Sequence, residues 1–115
     1  MKKSLTKEEI LRKRKDIEFL FKEGKRVSVD GAGMVFVKNN CGFNRVLFLA
    51  PKKIKKAVDR NRLKRVERDI YRNNKAILKS GYDLALVFFP GDYFYEERKE
   101  QFCSLIKRAG LSKDS

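Results

Sequence analysis

Between positions 52 and 75 the chain carries eleven lysines and arginines against three acids, Asp59, Glu67 and Asp69, a net of +8 (11 − 3). Wound at ~100° per residue, Leu63, Val66, Ile70 and Ile77 fall within about 60° of one another as an apolar stripe. Arg60, Lys64, Arg65, Arg68, Arg72 and Lys75 lie across the opposite side, with Asn61 among them. Such a segment folds in few ways. It is a helix that lays a narrow side on a core and turns a broad cationic side to solvent. Ile54, Ala57 and Val58 do not continue the stripe, so the helix is expected to begin near Asp59, whose carboxylate suits the positive end of the helix dipole. Residues 52–56 then form an approach loop.

A merely solvated helix face interleaves glutamate with lysine at i,i+4. This arc is read as six cations with no acid, which repel one another unless a polyanion offsets them. Arginine dominates it, and the planar guanidinium grips phosphate oxygens in pairs. The whole chain has a net charge of +14 and a pI near 10, which favours nucleic acid over an anionic membrane.

At 115 residues with 42% hydrophobic content, the chain is expected to be one folded domain, 1–115, with residues 1–5 and 111–115 fraying. Its longest apolar run, 84–89, has the length of a strand and not of a membrane span. No signal-peptide stretch opens it, so a cytoplasmic location is expected. The absence of histidine removes the commonest general acid–base group. Cys41 and Cys103 lack metal-ligand spacing. No glycine-rich phosphate loop, acidic metal cluster or serine–lysine dyad is present, and Glu96, Glu97 and Glu100 read as a solvated face. The expectation is no catalytic residue and no metal ligand in this chain.

Thr6 and Glu9 have the form of a capping box, with Leu5 and Ile10 placed as a hydrophobic staple. Ile10, Ile17 and Phe21 share a helical face, and Gly24 is a natural stop. Residues 25–32 read as a turn or irregular strand. Strands are expected at 34–37 and 46–49, joined by a loop on Asn39, Asn40 and Gly42, and at 84–89, closed by Pro90 and Gly91. Asp92 can cap a last helix whose stripe is Phe102, Leu105, Ile106 and Ala109, ending at Gly110. Tyr93, Phe94 and Tyr95 fit either an RNA-stacking surface or a helix start packed on a sheet. Read alone, Phe21 and Phe36 are core residues. The order of elements makes a small α/β sandwich.

Lys53 through the Ala57-Val58, Arg60-Asn61-Arg62 and Lys64-Arg65 steps resembles the signature of the bacterial ribonuclease P protein subunit. Residues 21–26 resemble that family's end of the first helix. The resemblance covers nearly the whole chain. It implies an α/β (α+β) sandwich, ribosomal protein S5 domain 2-like, in the order α-β-β-(β)-α-β-α with a left-handed βαβ crossover. It implies pairing with a catalytic RNA subunit that removes the 5′ leader from precursor tRNA with Mg²⁺, the chain itself holding no cofactor and needing no protein partner or membrane. Carried over by position, Arg60, Asn61, Arg62, Lys64, Arg65 and Arg68 match the helix that contacts the RNA subunit, and Lys52 and Lys53 the lysine pair ahead of it. A cleft between the first helix and the sheet would hold the single-stranded leader, with Phe21 and Phe36 to stack on bases. Ile17 stands where the family has a phenylalanine, Lys55-Lys56 where it often has a glycine, and Ala50-Pro51 where a serine is common. The resemblance also favours an extended lead through about Lys13. Other readings are a ribosome-associated RNA-binding protein of the same fold and a DNA architectural protein.

Overall fold

Strand parity divides the molecule in two. The computed structural model describes residues 5–113. Its elements are a 3-10 turn Lys7–Glu9, α1 Arg14–Glu23, β1 Lys25–Val29, β2 Ala32–Lys38, β3 Arg45–Leu49, α2 Ala57–Asn74, a second 3-10 turn Lys75–Ile77, β4 Tyr82–Phe88 and α3 Tyr95–Ala109. The sheet runs β1-β2-β4-β3, antiparallel except for β3 beside β4. The chain therefore leaves β3, crosses through α2 and returns as its parallel neighbour β4.

Because side chains alternate across a strand, the even-numbered residues Met34, Phe36, Val46, Phe48, Leu84, Leu86 and Phe88 face one way. They pack with Ile70 and Tyr71 of α2 and Phe102, Leu105 and Ile106 of α3 in the larger core. Val35 and Ala85 face the other way and form a smaller core with Leu11 and Leu20, margined by Ile17, Phe21, Val37, Leu47 and Leu49. The result is α1 on one side of the sheet and α2 with α3 on the other. β2 and β4 are covered on both faces, which is why β4 reads as an almost unbroken apolar run. None of the described helices is long and apolar enough to cross a membrane.

Several local expectations change. Glu9 accepts from the Thr6 backbone N–H at 3.4 Å and its hydroxyl at 3.3 Å, but the pair closes only the first 3-10 turn. The chain then runs extended past Leu11, whose N–H donates to the Val46 carbonyl at 2.9 Å, and α1 starts at Arg14. The 25–32 stretch is a regular strand, β1, and Gly31 at φ 86° makes the turn into β2. Asp92 does not cap α3. The turn in which Tyr93 N–H donates to the Gly91 carbonyl at 3.0 Å carries the chain past it, and Phe94 becomes the N-cap, its N–H held by Glu97 at 2.9 Å. Of the residues expected to fray, Leu5 packs against the core. Leu111 and Ser112 are buried. Lys79 N–H donates to the Leu111 carbonyl at 2.7 Å and Lys113 N–H to the Ile77 carbonyl at 2.8 Å. Residues 1–4 and 114–115 lie outside the described residues.

The underside of α2 holds a carboxyl that the apolar stripe does not anticipate. Glu67 is completely buried. One of its oxygens accepts the Phe88 N–H at 2.7 Å, just past the end of the β3–β4 ladder. The other oxygen has no hydrogen-bond partner. Burial raises its pKa from 4.5 to about 8, against the opposing pull of the Phe88 N–H. The folded state therefore holds a proton that the unfolded chain has released above pH 4.5, and the stability this confers is lost as pH rises toward 8. With no histidine in the chain, few other groups titrate in that window. Thermal melts of the wild type should fall between pH 5 and pH 8, and Glu67→Gln should flatten the curve and melt above wild type at pH 8. Parallel curves would show that Glu67 is ionised in the fold.

Candidate nucleic-acid interface

α2 begins at Ala57, two residues before Asp59, with Lys56 as its N-cap. Ile70 and Tyr71 are buried, and Leu63 and Val66 partly so. Ile77 lies beyond the helix, in the second 3-10 turn. The outward arc is less uniformly cationic than the wheel alone implies. Asp69 pairs with Arg72, one turn on, and Lys75 reaches back to Glu9 at 2.9 Å. Both cations are locally offset. Arg60 turns inward: its Nη1 donates to the carbonyls of Ile54 at 2.9 Å and Lys55 at 2.7 Å, so it clamps the approach loop to the helix. Lys52 and Lys53 are exposed in that loop, at the turn that Ile54 N–H closes on the Pro51 carbonyl at 3.1 Å.

Arg62, Arg65 and Arg68 remain exposed, Lys64 half-buried, and Asn61 exposed between them. None of these four cations forms an ion pair among the described residues, although Lys64 stands near enough to buried Glu67 to favour its charged form. The Arg68 guanidinium carbon lies 5.7 Å from the centre of the Phe48 ring, a cation–π contact at the sheet edge, and the residue stays exposed. Val58, apolar yet 61% exposed, stands among them. This is a rigid row of desolvatable cations on a helix that the core holds fast, an arrangement suited to the phosphates of a folded RNA.

The other face of the sheet presents a second surface. Ile17 and Phe21, four residues apart, lie together along the edge of α1 against β2 and β4. α1 can sit this close because Gly24 has no side chain. A Cβ there would stand 2.2 Å from the Leu20 carbonyl oxygen and 2.7 Å from Val35. Its other end is pinned by Arg45, which grips Asp83 with two bonds of 2.8 Å and reaches Asp16 of α1 at 3.1 Å. Asn39 adds a bond to Asp83 at 2.9 Å. Asp83, a charged residue opening an otherwise apolar strand, was the available signal for this anchor.

Phe36, expected in the cleft, is not there. It has the opposite parity, is 8% exposed, and packs edge-on against Tyr82 in the larger core. The aromatic that strand alternation sends to the α1 side is Phe89, 40% exposed. Its ring lies 3.8 Å from the place where a Gly33 Cβ would stand. From Phe21 the surface therefore runs over Val35 and past Gly33 and Val87 to Phe89, at the end of the sheet where β3 delivers the chain to Lys52 and Lys53.

Fold and faces together define a basic α/β protein with a cationic helix on one side of its sheet and an apolar-aromatic surface on the other. The family model described as Ribonuclease P matches residues 5–110. A relative named "Ribonuclease P protein component" from Thermotoga maritima is 37% identical over 116 residues, covering 94% of this chain and 97% of that protein. One from Clostridium botulinum is 33% identical over 108 residues, covering 91% and 97%. The solved RNase P protein of Thermotoga maritima superposes with a TM-score of 0.76 at 31% identity, over 87% of this chain and 96% of that one. A Staphylococcus aureus RNase P protein shares the fold, with a TM-score of 0.78 at 19% identity. The chain belongs to the ribonuclease P protein family.

Two substitutions separate core from cleft. Phe36→Ala should cost about 3–5 kcal/mol in denaturant unfolding, as a buried aromatic does. Phe89→Ala should cost under about 1 kcal/mol of stability, yet weaken single-stranded RNA binding by about 1–3 kcal/mol. Equal stability losses at both positions would contradict the assignment of faces. Arg45→Met should cost about 3–5 kcal/mol, because it strands Asp83 without its partner; simultaneous Asp83→Asn should recover part of that loss.

Proposed function

We propose that α2 docks this chain on the RNA subunit of ribonuclease P, the ribonucleoprotein that matures tRNA 5′ ends, and that the α1 side of the sheet holds the precursor's single-stranded leader. The observation that carries this is the row Arg62, Lys64, Arg65 and Arg68, which forms no ion pair among the described residues, on a helix whose remaining cations are already paired or turned inward. On this reading the chain lowers repulsion between two RNAs, and its cleft, closed at one end by α1, distinguishes a substrate with a leader from the product without one. Phe21 and Phe89 supply ring faces and Ile17 and Val35 an apolar floor, while Lys52 and Lys53 meet the leader's backbone where it leaves the cleft.

The chemistry belongs to the RNA and its Mg²⁺ on this reading. Here the less exposed acids are engaged elsewhere: Asp16 and Asp83 by Arg45, Glu9 by Lys75, and Glu67 beneath α2. The precursor is made in the cytoplasm, so the protein acts there, with RNA as its partner.

Cleavage of a 5′-labelled precursor tRNA by a bacterial ribonuclease P RNA at low Mg²⁺ tests the reading. Adding this protein should restore cutting at the mature 5′ end. Binding without gain in cleavage across Mg²⁺ concentrations would leave only a general RNA-binding protein. Arg62→Glu with Arg65→Glu should abolish binding to the RNA subunit, and single alanine substitutions should each lower the salt slope of log K by about one.

A further inference from the structure

Between the first half of α2 and the β4–α3 loop lies an open cavity of about 480 Å³, lined by Asp59, Arg62, Leu63, Val66, Tyr93 and Tyr95 among others. It is on the sheet side opposite the leader cleft. Its size falls in the range of small-ligand pockets, ~300–1,000 Å³. Both tyrosines are held before anything enters. The Tyr93 ring lies 4.4 Å over the Arg98 guanidinium, and Arg98 is buried and fixed by the carbonyls of Gly31 and Phe89 at 3.0 and 2.6 Å. The Tyr95 hydroxyl is bonded to Asn73 of α2 at 3.2 Å. Leu63 and Val66 form a half-buried floor.

At the mouth stand Asp59 and Arg62, three residues apart on one side of α2. Both are exposed, and neither is drawn into an ion pair among the described residues. Arg62 also borders the neighbouring shallow site with Val58, Asn61 and Arg65. A nucleotide whose phosphate rests on Arg62 and Arg65 therefore has its base beside the cavity. A carboxylate beside phosphate-binding arginines is a liability toward phosphate and useful toward a base. It accepts from two adjacent N–H groups, and the guanidinium donates to a carbonyl oxygen. Guanine carries both sets, N1–H with N2–H, and O6.

We propose that this cavity receives one unpaired guanine of the RNA subunit that α2 binds, stacked on Tyr93 and Tyr95 and read at its edge by Asp59 and Arg62. The inference rests on the RNA-docking reading above. Stacking on preformed rings adds affinity with little ordering cost, and it sets the position of α2 along an RNA whose backbone is otherwise uniform.

The test is kethoxal modification of unpaired guanines in a bacterial ribonuclease P RNA, free and bound to the wild type, Tyr95→Phe and Tyr95→Ala, with a hydroxyl-radical backbone footprint alongside. One guanine should be protected by the wild type and Tyr95→Phe and reactive again with Tyr95→Ala, whose backbone footprint is kept while affinity falls roughly tenfold. Ultraviolet cross-linking of the wild-type complex, which depends on no variant folding, should place a guanine adduct on Tyr93 or Tyr95. A backbone footprint with no guanine that follows Tyr95 and no adduct on either tyrosine would overturn the cavity proposal and leave the docking reading standing. No wild-type footprint on the RNA would overturn both.

Discussion

The cationic face of this protein depends on how α2 is seated. Ile70 and Tyr71 bury their side chains between the sheet and α3, and burial of this kind is worth ~1.5–3 kcal/mol for each large apolar residue. That gain opposes the mutual repulsion of the cations on the same helix. It also fixes the helix's rotation. A turn of one residue, ~100°, would drive an arginine into the core, so Arg62, Arg65 and Arg68 have no other direction to point. Edge-on contacts of Tyr71 with Phe48 at 5.9 Å and Phe102 at 6.1 Å join β3, α2 and α3 around that seat.

How much of this was legible in the sequence follows from the range of each interaction. The periodicity of α2, the last helix stripe and the stop at Gly110 are local patterns, and the structure has them. The resemblance at residues 52–68 implied the fold that the solved relatives share. What local pattern could not supply was parity relative to a helix elsewhere in the chain. Phe36, inside β2, and Phe89, one residue past β4, are both apolar aromatics, and only the packing of α1 on the odd-numbered face separates them. The pairings of Lys75 with Glu9 and of Arg45 with Asp16 span 66 and 29 positions, beyond any helical spacing rule. Asp69 was within reach of such a rule, at i,i+3 from Arg72, and the count of an acid-free arc passed over it. Arg60 looked like its neighbours because nothing in its identity shows that two loop carbonyls wait beside it.

The three exceptions narrow the candidate interface. With Arg72 and Lys75 paired and Arg60 occupied, the free cations gather toward the first two-thirds of α2, beside the approach loop and the cavity by Tyr93 and Tyr95. Arg98 lines this cavity from behind Tyr93: it ties the β1–β2 turn, the end of β4 and the Tyr93 ring into one unit that forms the wall beside α2.

The two ends of α2 are held very unequally. Its C-terminal end is girdled by both ends of the chain: Glu9 pairs with Lys75, and Leu111 and Lys113 bond across the turn that follows. Its first turns are held by half-buried Leu63 on the core and by the Arg60 contacts to the approach loop. Burial deepens along the helix, from half-buried Leu63 to fully buried Ile70 and Tyr71, as in a beam built in at one end. On the proposed docking, small mismatches with an RNA would be taken up near Ala57 and Val58, while the register at Asn74 stays that of the sheet.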